Sequence, residues 1–413
     1  MVSVMLNINE KEIKNVMIFI SDSLRWDYLP MSVASMGMVY KTVASSLYTA
    51  SSFPSIISGL YPPRHKVFSW NDRIDSSNKG FFRNKDINTS LWCETTWTHD
   101  PPDYSDIHRI LKVDKGTSLE DIEPPFIYLE DDKGGHCPYG LSFEKYGTGG
   151  CEKFFKEYSK RDIGNLRKLY AKGIDISTKN FMKRIKTLKE RNLLEDTLVI
   201  FSSDHGELLG EHGGLMGHGR PPCPELVYVP TVFIHESIEP GFEKRSVLRH
   251  VDLYPTIARI LGLELYYEPD GKDIIENNNK LGLNFRSGNF LKATGINKRF
   301  LYNSESVWDN NGGYVYHTMK RIKAIPFFAL RILLKHPEFL YISSQSKNPI
   351  SLIRNIKYSI NALSNNNIRY GDPGFDLEIA DLVMKQYKIK QIKWKEGERI
   401  KEKFLKKIDK SKL

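Results

Sequence analysis

Thr197-Leu-Val-Ile-Phe-Ser-Ser-Asp-His-Gly-Glu207 decides the class of the fold. Its apolar run is short and continuous, the pattern of a strand buried on both faces, and it ends on an acid and an imidazole. Asn15-Val-Met-Ile-Phe-Ile-Ser21 has the same form and ends on Asp22. Pro125-Phe-Ile-Tyr-Leu-Glu130 and Val229-Pro-Thr-Val-Phe-Ile-His235 repeat it. From Ile163 to Leu193, residues Leu166, Leu169, Tyr170, Ile174, Phe181, Ile185 and Leu188 recur at helical spacing. Strands alternating with helices predict an α/β fold whose central sheet is mostly parallel and flanked by helices. Ligands of such sheets bind beyond the carboxyl ends of the strands, where Asp22 and Asp204 would converge.

The 413-residue chain is 40% hydrophobic, enough for a large core, and exceeds the usual single-domain length. From about Glu276 the composition shifts to Asn, Lys and aromatic residues. The expected division is a main α/β domain over 1–275, a smaller subdomain over 276–375 and a basic helical tail over 376–413. Phe300 to Tyr316 reads as strands around Asp309-Asn-Asn-Gly-Gly313, a hairpin signal. Ile325 to Tyr341 is apolar but carries Arg331 and Lys335, so a packed or surface-lying helix is expected there. The net charge of +10 favours anionic partners: sulfated or phosphorylated esters, a membrane surface or nucleic acid. Cys93, Cys137, Cys151 and Cys223 form no Cys-x-x-Cys pair, which points to buried reduced thiols. The first apolar run, Val16 to Ile20, is too short for a signal sequence or a membrane span, and a cytoplasmic location is expected.

Adjacent Asp204 and His205, after a buried strand and before Gly206, make good ligands for a divalent cation, and Asp22 on the same edge strengthens that reading over a plain helix cap. Thr49-Ala-Ser-Ser-Phe-Pro-Ser-Ile-Ile-Ser-Gly59 is the second strong element. Ser52 suits a cap, Pro54 a first helical turn and Gly59 a helix stop, so Thr49 is expected just ahead of a helix N-terminus. There a hydroxyl is placed to attack an anionic phosphorus or sulfur centre.

Taken in order, these elements resemble the sulfatase family of the alkaline-phosphatase superfamily: Asp22 ending the first strand, Thr49 ten residues before Gly59, Leu60-Tyr-Pro-Pro-Arg-His65, and Ser203-Asp-His-Gly-Glu207. His136-Cys-Pro-Tyr139, Tyr170 to Asp175, Glu211-His-Gly-Gly214, Gly217-His218-Gly219, Val229-Pro230 and Asp252-Leu-Tyr-Pro-Thr256 extend the likeness to about residue 265. The resemblance implies one divalent cation (Ca, Mn or Zn) held by Asp22, Thr49, Asp204 and His205, with Thr49 as the nucleophile. His218 and His136 would serve catalysis and touch the ester or its leaving group. Arg64 is carried among the substrate-contacting candidates, although its place with His65 behind the nucleophile suits support of that loop, and His212 suits a structural loop role.

The departures bear on the substrate. Sulfatases that mature a Cys or Ser to formylglycine carry Cys/Ser-x-Pro-x-Arg; Thr49 cannot be matured in that way. Ser23 stands where many relatives have a second Asp, and Asp175-Ile-Ser-Thr-Lys179 lacks the His of two-metal relatives, so a single cation is expected. The reading is a metal-dependent hydrolase or transferase acting on small-molecule, glycan or lipid sulfate or phosphate esters through a threonyl intermediate. Phospho-ester chemistry is somewhat favoured on mechanism, and a related phosphodiesterase or phosphoglycol-type transferase is the nearby alternative. The rival from another class is a non-catalytic protein that grips an anionic glycan or lipid head group. No nucleic acid is expected, since no recognition motif accompanies the basic residues. In the tail, Ile389, Ile392, Ile400, Phe404 and Ile408 alternate with lysines: a helix packed on the domain ranks first, a peripheral membrane contact second. Trp92, Trp97 and Trp308 are read as core aromatics before a sugar pocket.

Overall fold

The computed structural model describes residues 6, 8–93, 102–139, 154, 163–218, 222–289, 301–317 and 367–410. The sequence expectations for Trp97, Cys151 and Ile325 to Tyr341 lie outside the described residues.

Among the described residues, ten strands precede residue 250: β1 (Asn15–Ser21), β2 (Met38–Val43), β3 (Asn88–Cys93), β4 (Phe126–Asp132), β5 (Thr197–Ser202), β6 (Leu208–Gly210), β7 (Leu215–Gly217), β8 (Tyr228–Ile234), β9 (Gly241–Phe242) and β10 (Leu248–Arg249). Eight form the central sheet, in the order β10-β2-β8-β5-β1-β4-β3 with β9 beside β2, while β6 and β7 pair separately. Strand β1 lies between β4 and β5 and is parallel to both, with Ile20 level with Asp131 and Ser202. Only β8 runs against its neighbours β5 and β2 within this path.

Strands β1, β4, β5 and β8 are buried along their whole length, so their continuous apolar runs follow from having protein on both faces. Val16, Ile18 and Ile20 point into one apolar layer, which the helices Thr49–Ser58 and His250–Ile260 cover. Met17 and Phe19 point into the other, under the helix Ile163–Glu190. Phe19, Phe181 and Phe201 meet there with ring centroids 4.9–5.9 Å apart.

The second sheet is antiparallel, in the order β11 (Gly282–Asn289), β12 (Leu301–Trp308), β13 (Gly312–His317) and β14 (Asn367–Gly371). The hairpin read at Asp309 to Gly313 joins β12 to β13, where Asp309 Oδ1 accepts from the Asn311 and Gly312 N–H groups. This sheet is stitched to the first by Phe285 N–H donating to the Ser45 carbonyl and Asn284 Nδ2 to the Ala44 carbonyl. The tail helix, Leu377–Lys410, packs on it through Ala380, Met384 and Tyr387, while Ile389 and Ile392 face outward. Trp308 is fully buried and belongs to the core. Cys93, Cys137 and Cys223 are buried and form no disulfide among the described residues. No helix among the described residues is long and apolar enough to cross a membrane.

Candidate active site

The carboxyl ends of β1 and β5 do what their sequences predict: they bring Asp22 and Asp204 to one edge. Asp22 is clamped through its backbone, its N–H donating to the Asp132 carbonyl and its carbonyl accepting from Gly135 N–H, both at 2.8 Å. Ser23 Oγ donates to Asp22 Oδ1 at 2.8 Å, and Ser23 N–H donates to Asp204 Oδ1 at 3.1 Å. The residue in place of a second Asp therefore ties the two carboxylates together. The helix Ile163–Glu190 holds this turn from behind, with Tyr170 Oη donating to the Ser23 carbonyl and accepting from Arg25 N–H.

His205 Nδ1 lies 2.9 Å from the Gly206 carbonyl, which places its proton there and turns the Nε2 lone pair toward the site. That Nε2 is 3.3 Å from Asp204 Oδ2 and 3.2 Å from Thr49 Oγ1. Asp22, Asp204 and His205 each offer a ligand atom within 4.8 Å of the others. Gly206 is required by close approach, since a Cβ would sit 1.9 Å from the Glu225 carbonyl oxygen.

Thr49 is the first residue of its helix, behind Tyr48 as N-cap, rather than a residue ahead of it. Ser52 does not cap: its Oγ donates to the Ser46 carbonyl, and Pro54 lies inside the helix. Gly59 ends the helix in the left-handed conformation, as read. All ten residues of the helix are buried, so Thr49 is delivered on a rigid element, with the positive end of the helix dipole beside it.

Asp131 joins the group from β4. Its Oδ1, Asp22 Oδ2 and Asp204 Oδ2 are all buried without a hydrogen-bond partner. Burial first, then the charges of Asp204 and Asp131, push the Asp22 carboxyl well above the usual carboxylate range; burial and Asp204 do the same to Asp131. Orphaned carboxylate oxygens crowded beside a neutral imidazole are costly unless a cation sits among them, and this donor set fits a divalent ion.

His218 approaches from the β7 end. Its Nδ1 is 2.9 Å from Glu207 Oε2, and Tyr139 Oη donates to Glu207 Oε1 at 2.5 Å. The His218 ring lies 4.5 Å from that of His205 and 4.8 Å from that of His136, centroid to centroid. Burial, then His218, hold His136 well below the usual imidazole range, and burial lowers His205. Thr49, Asp22, Asp204, His205, His218 and His136 thus come together. Sequence reasoning missed Asp131, Glu207 and Tyr139 as contributors. The last two stood inside quoted motifs, and Asp131 follows directly on the run that was ended at Glu130.

Arg64 stands apart, which corrects its place among the substrate contacts. It is buried in an ion pair with Asp270 at 2.9 Å and lies over the Trp394 ring, binding the segment behind the Thr49 helix to the tail. Arg64→Met is expected to cost about 3 kcal/mol or more in unfolding free energy, because Asp270 is left charged and buried, with KM for an ester little changed. A raised KM at unaltered stability would return Arg64 to the substrate. Asp175 pairs with Lys179 at the surface.

His65 and His250 are buried behind the site. His65 Nε2 is 3.1 Å from Ser55 Oγ, and His250 Nε2 is 2.9 Å from the Ser203 carbonyl. Burial pushes them down to about 3 and about 4. The unfolded chain therefore takes up these protons first, and stability is lost as pH falls below the ordinary imidazole value of 6.5. Between pH 7 and pH 5 denaturant titrations should show a loss of about 4 kcal/mol from the pair, and His65→Gln should remove about half of it. An unaltered slope in that variant would contradict the assignment.

The sulfatase family profile matches residues 94–263. Over 329 residues the chain is 35% identical to low-salt glycan biosynthesis sulfotransferase Agl7 of Haloferax volcanii, covering 79% of this chain and 80% of that protein. The chain belongs to the sulfatase family. Arylsulfatase K of Homo sapiens is 27% identical over 168 residues, 41% of this chain and 27% of that relative. Among solved structures, a 2-O GAG sulfatase superposes with a TM-score of 0.57 at 14% identity over 74% of this chain and 83% of its own. Phosphonate monoester hydrolase of Agrobacterium radiobacter gives 0.55 at 15% identity over 74% and 87%. Those two likenesses are of fold. The sulfatase-family profile begins after Asp22 and Thr49, whose assignment rests on the geometry above.

Proposed function

We propose that this sulfatase-family chain transfers a sulfuryl group between hydroxyls of glycan substrates, with Thr49 as nucleophile and one divalent cation. The observation that carries the reading is the buried Thr49 hydroxyl at a helix N-terminus, 3.2 Å from His205 Nε2, in a centre whose Asp22, Asp131 and Asp204 oxygens lack partners. Bound by Asp22, Asp204 and His205, with Thr49 as a further oxygen donor, a divalent cation would supply Lewis acidity at the hydroxyl and the ester oxygens.

With the Thr49 proton released to solvent beforehand and His218 carrying protons on both ring nitrogens, Thr49 Oγ1 attacks sulfur; the O–S bond to threonine forms as the ester O–S bond breaks. His218, oriented through Nδ1 by Glu207, gives a proton from Nε2 to the departing alcohol oxygen. An acceptor hydroxyl then attacks sulfur, passes its proton back to His218 and releases Thr49. Formylglycine can expel sulfate by collapse of its hydrate, whereas a sulfothreonine has no second hydroxyl on the same carbon and must be resolved by attack on sulfur. Water or a sugar hydroxyl could make that attack, and mechanism alone leans to phosphate; the support for transfer over simple hydrolysis, and for sulfate over phosphate, is a 35%-identical relative named as a glycan biosynthesis sulfotransferase.

Peptide mass spectrometry after brief exposure to an aryl sulfate, a phosphate monoester and a phosphate diester, each with Mn²⁺, Ca²⁺ or Zn²⁺, tests this. A sulfuryl adduct on the Thr49 peptide, discharged faster by sugar hydroxyls than by water, is the expected result. A phosphoryl adduct would move the substrate to phosphate esters. Metal-dependent glycan binding with no alcohol released from any ester would favour a non-catalytic binding protein.

A further inference from the structure

A second set of donors gathers outside the Asp22 centre. His212, in the turn Glu211–Gly214, meets Cys223 and Glu225 from the segment leading into β8, and the three offer one ligand atom each within 4.8 Å of one another. Cys223 is 2% exposed, and the His212 Nε2–Glu225 Oε2 distance is 2.8 Å. His212 holds a φ of 50°, a left-handed conformation uncommon for a side-chain-bearing residue, which here delivers the imidazole to the other two groups. Imidazole, thiol and carboxylate from two separate segments form a set chemically suited to zinc, unlike a cluster of acids alone. Two of the three ligands carry negative charge once the thiol is deprotonated, so a Zn²⁺ ion would be neutralised in place. Without a metal, burial, Glu225 and Glu211 push the Cys223 thiol well up, leaving a proton in the cluster for a cation to displace.

We propose that His212, Cys223 and Glu225 bind one zinc ion at a site distinct from the Asp22–Asp204–His205 centre. On binding, the Cys223 thiol proton passes to solvent, the His212 proton shifts from Nε2 to Nδ1, and water completes the fourth position. The ion clips the Glu211–Gly214 turn to the Cys223–Val227 stretch. Between them runs the segment that carries His218, and the clipped stretch also holds the residue after His205, since Gly206 N–H donates to the Leu226 carbonyl at 2.9 Å. The ion thus fixes the frame on which His218 and His205 are held, whatever ester the enzyme takes.

Cobalt titration of the metal-stripped full chain separates the two sites, because the Asp22 centre contains no sulfur. Wild-type protein should bind two equivalents, one of them producing a thiolate-to-cobalt charge-transfer band in the near ultraviolet. Cys223→Ser should lose that band and one equivalent while keeping the other, and Glu225→Gln, which leaves the thiol in place, should weaken cobalt binding at this site by on the order of tenfold or more. A wild-type titration without the band overturns the proposal even if a variant fails to fold. A band that persists in folded Cys223→Ser assigns the thiolate to another cysteine and overturns it as well.

Discussion

Thr49→Ala should reduce turnover by on the order of 10⁴-fold or more while leaving cation affinity within about tenfold of wild type. The size of the loss follows from the proposed role: as nucleophile the hydroxyl would form the covalent bond, and it sits on a fully buried helix. Binding of the cation should survive because Asp22, Asp204 and His205 supply the other ligand atoms within 4.8 Å of one another. Thr49→Ser should restore much of the rate, since it returns the same oxygen without the methyl group. Steady-state assay and calorimetric titration with Mn²⁺ on the same preparations check both halves. Undiminished activity in Thr49→Ala would remove the nucleophile assignment altogether.

Chelation is the second large effect expected. With Asp22, Asp131 and Asp204 each carrying a buried unpartnered oxygen, the metal-free protein holds like charges that repel one another. A cation at one hundred times its dissociation constant adds about 2.7 kcal/mol to unfolding, so EDTA should lower the melting temperature and abolish activity together. Asp131→Asn makes the argument specific. It should raise the melting temperature of the chelated protein, by removing one buried charge, and weaken cation binding by on the order of tenfold. A structural residue would behave oppositely; a variant less stable in EDTA with unaltered affinity would exclude Asp131 from the cation's surroundings.

The parts of this fold legible in the sequence were those with one dominant cause. Strands β1 and β5 are buried on both faces, so their runs are continuous and the acids that end them stand out. Strand β2 was missed because Lys41 interrupts its pattern, and β3 because Asn88, Thr89 and Ser90 make it look like a loop at the sheet edge. The orientation of β8 is not written in its composition, since an apolar run reads alike in either direction. Strand β4 was cut short at Glu130 because further acids do not suggest a buried strand. In the folded protein Arg184 pairs with Glu130 at 2.8 Å, Asn180 donates to Asp132 at 2.8 Å, and Asp131 turns to the cation centre. The start of the Thr49 helix was misplaced because Ser52 and Pro54 imitate a capped first turn. Tertiary burial and the Ser46 carbonyl decided otherwise.

The central position of β1 also governs when this enzyme can come into being. Its partners β4 and β5 are made long after it, and the contact from Ser23 to Asp204 closes a span of 181 residues. Local helices form early and cheaply, but pairing this distant in the chain is slow, because loop closure must precede the contacts that reward it. Before β5 is made, Asp22 has neither Asp204 nor His205 to stand beside. If these residues form the reaction centre, it can assemble only once β5 has docked beside β1.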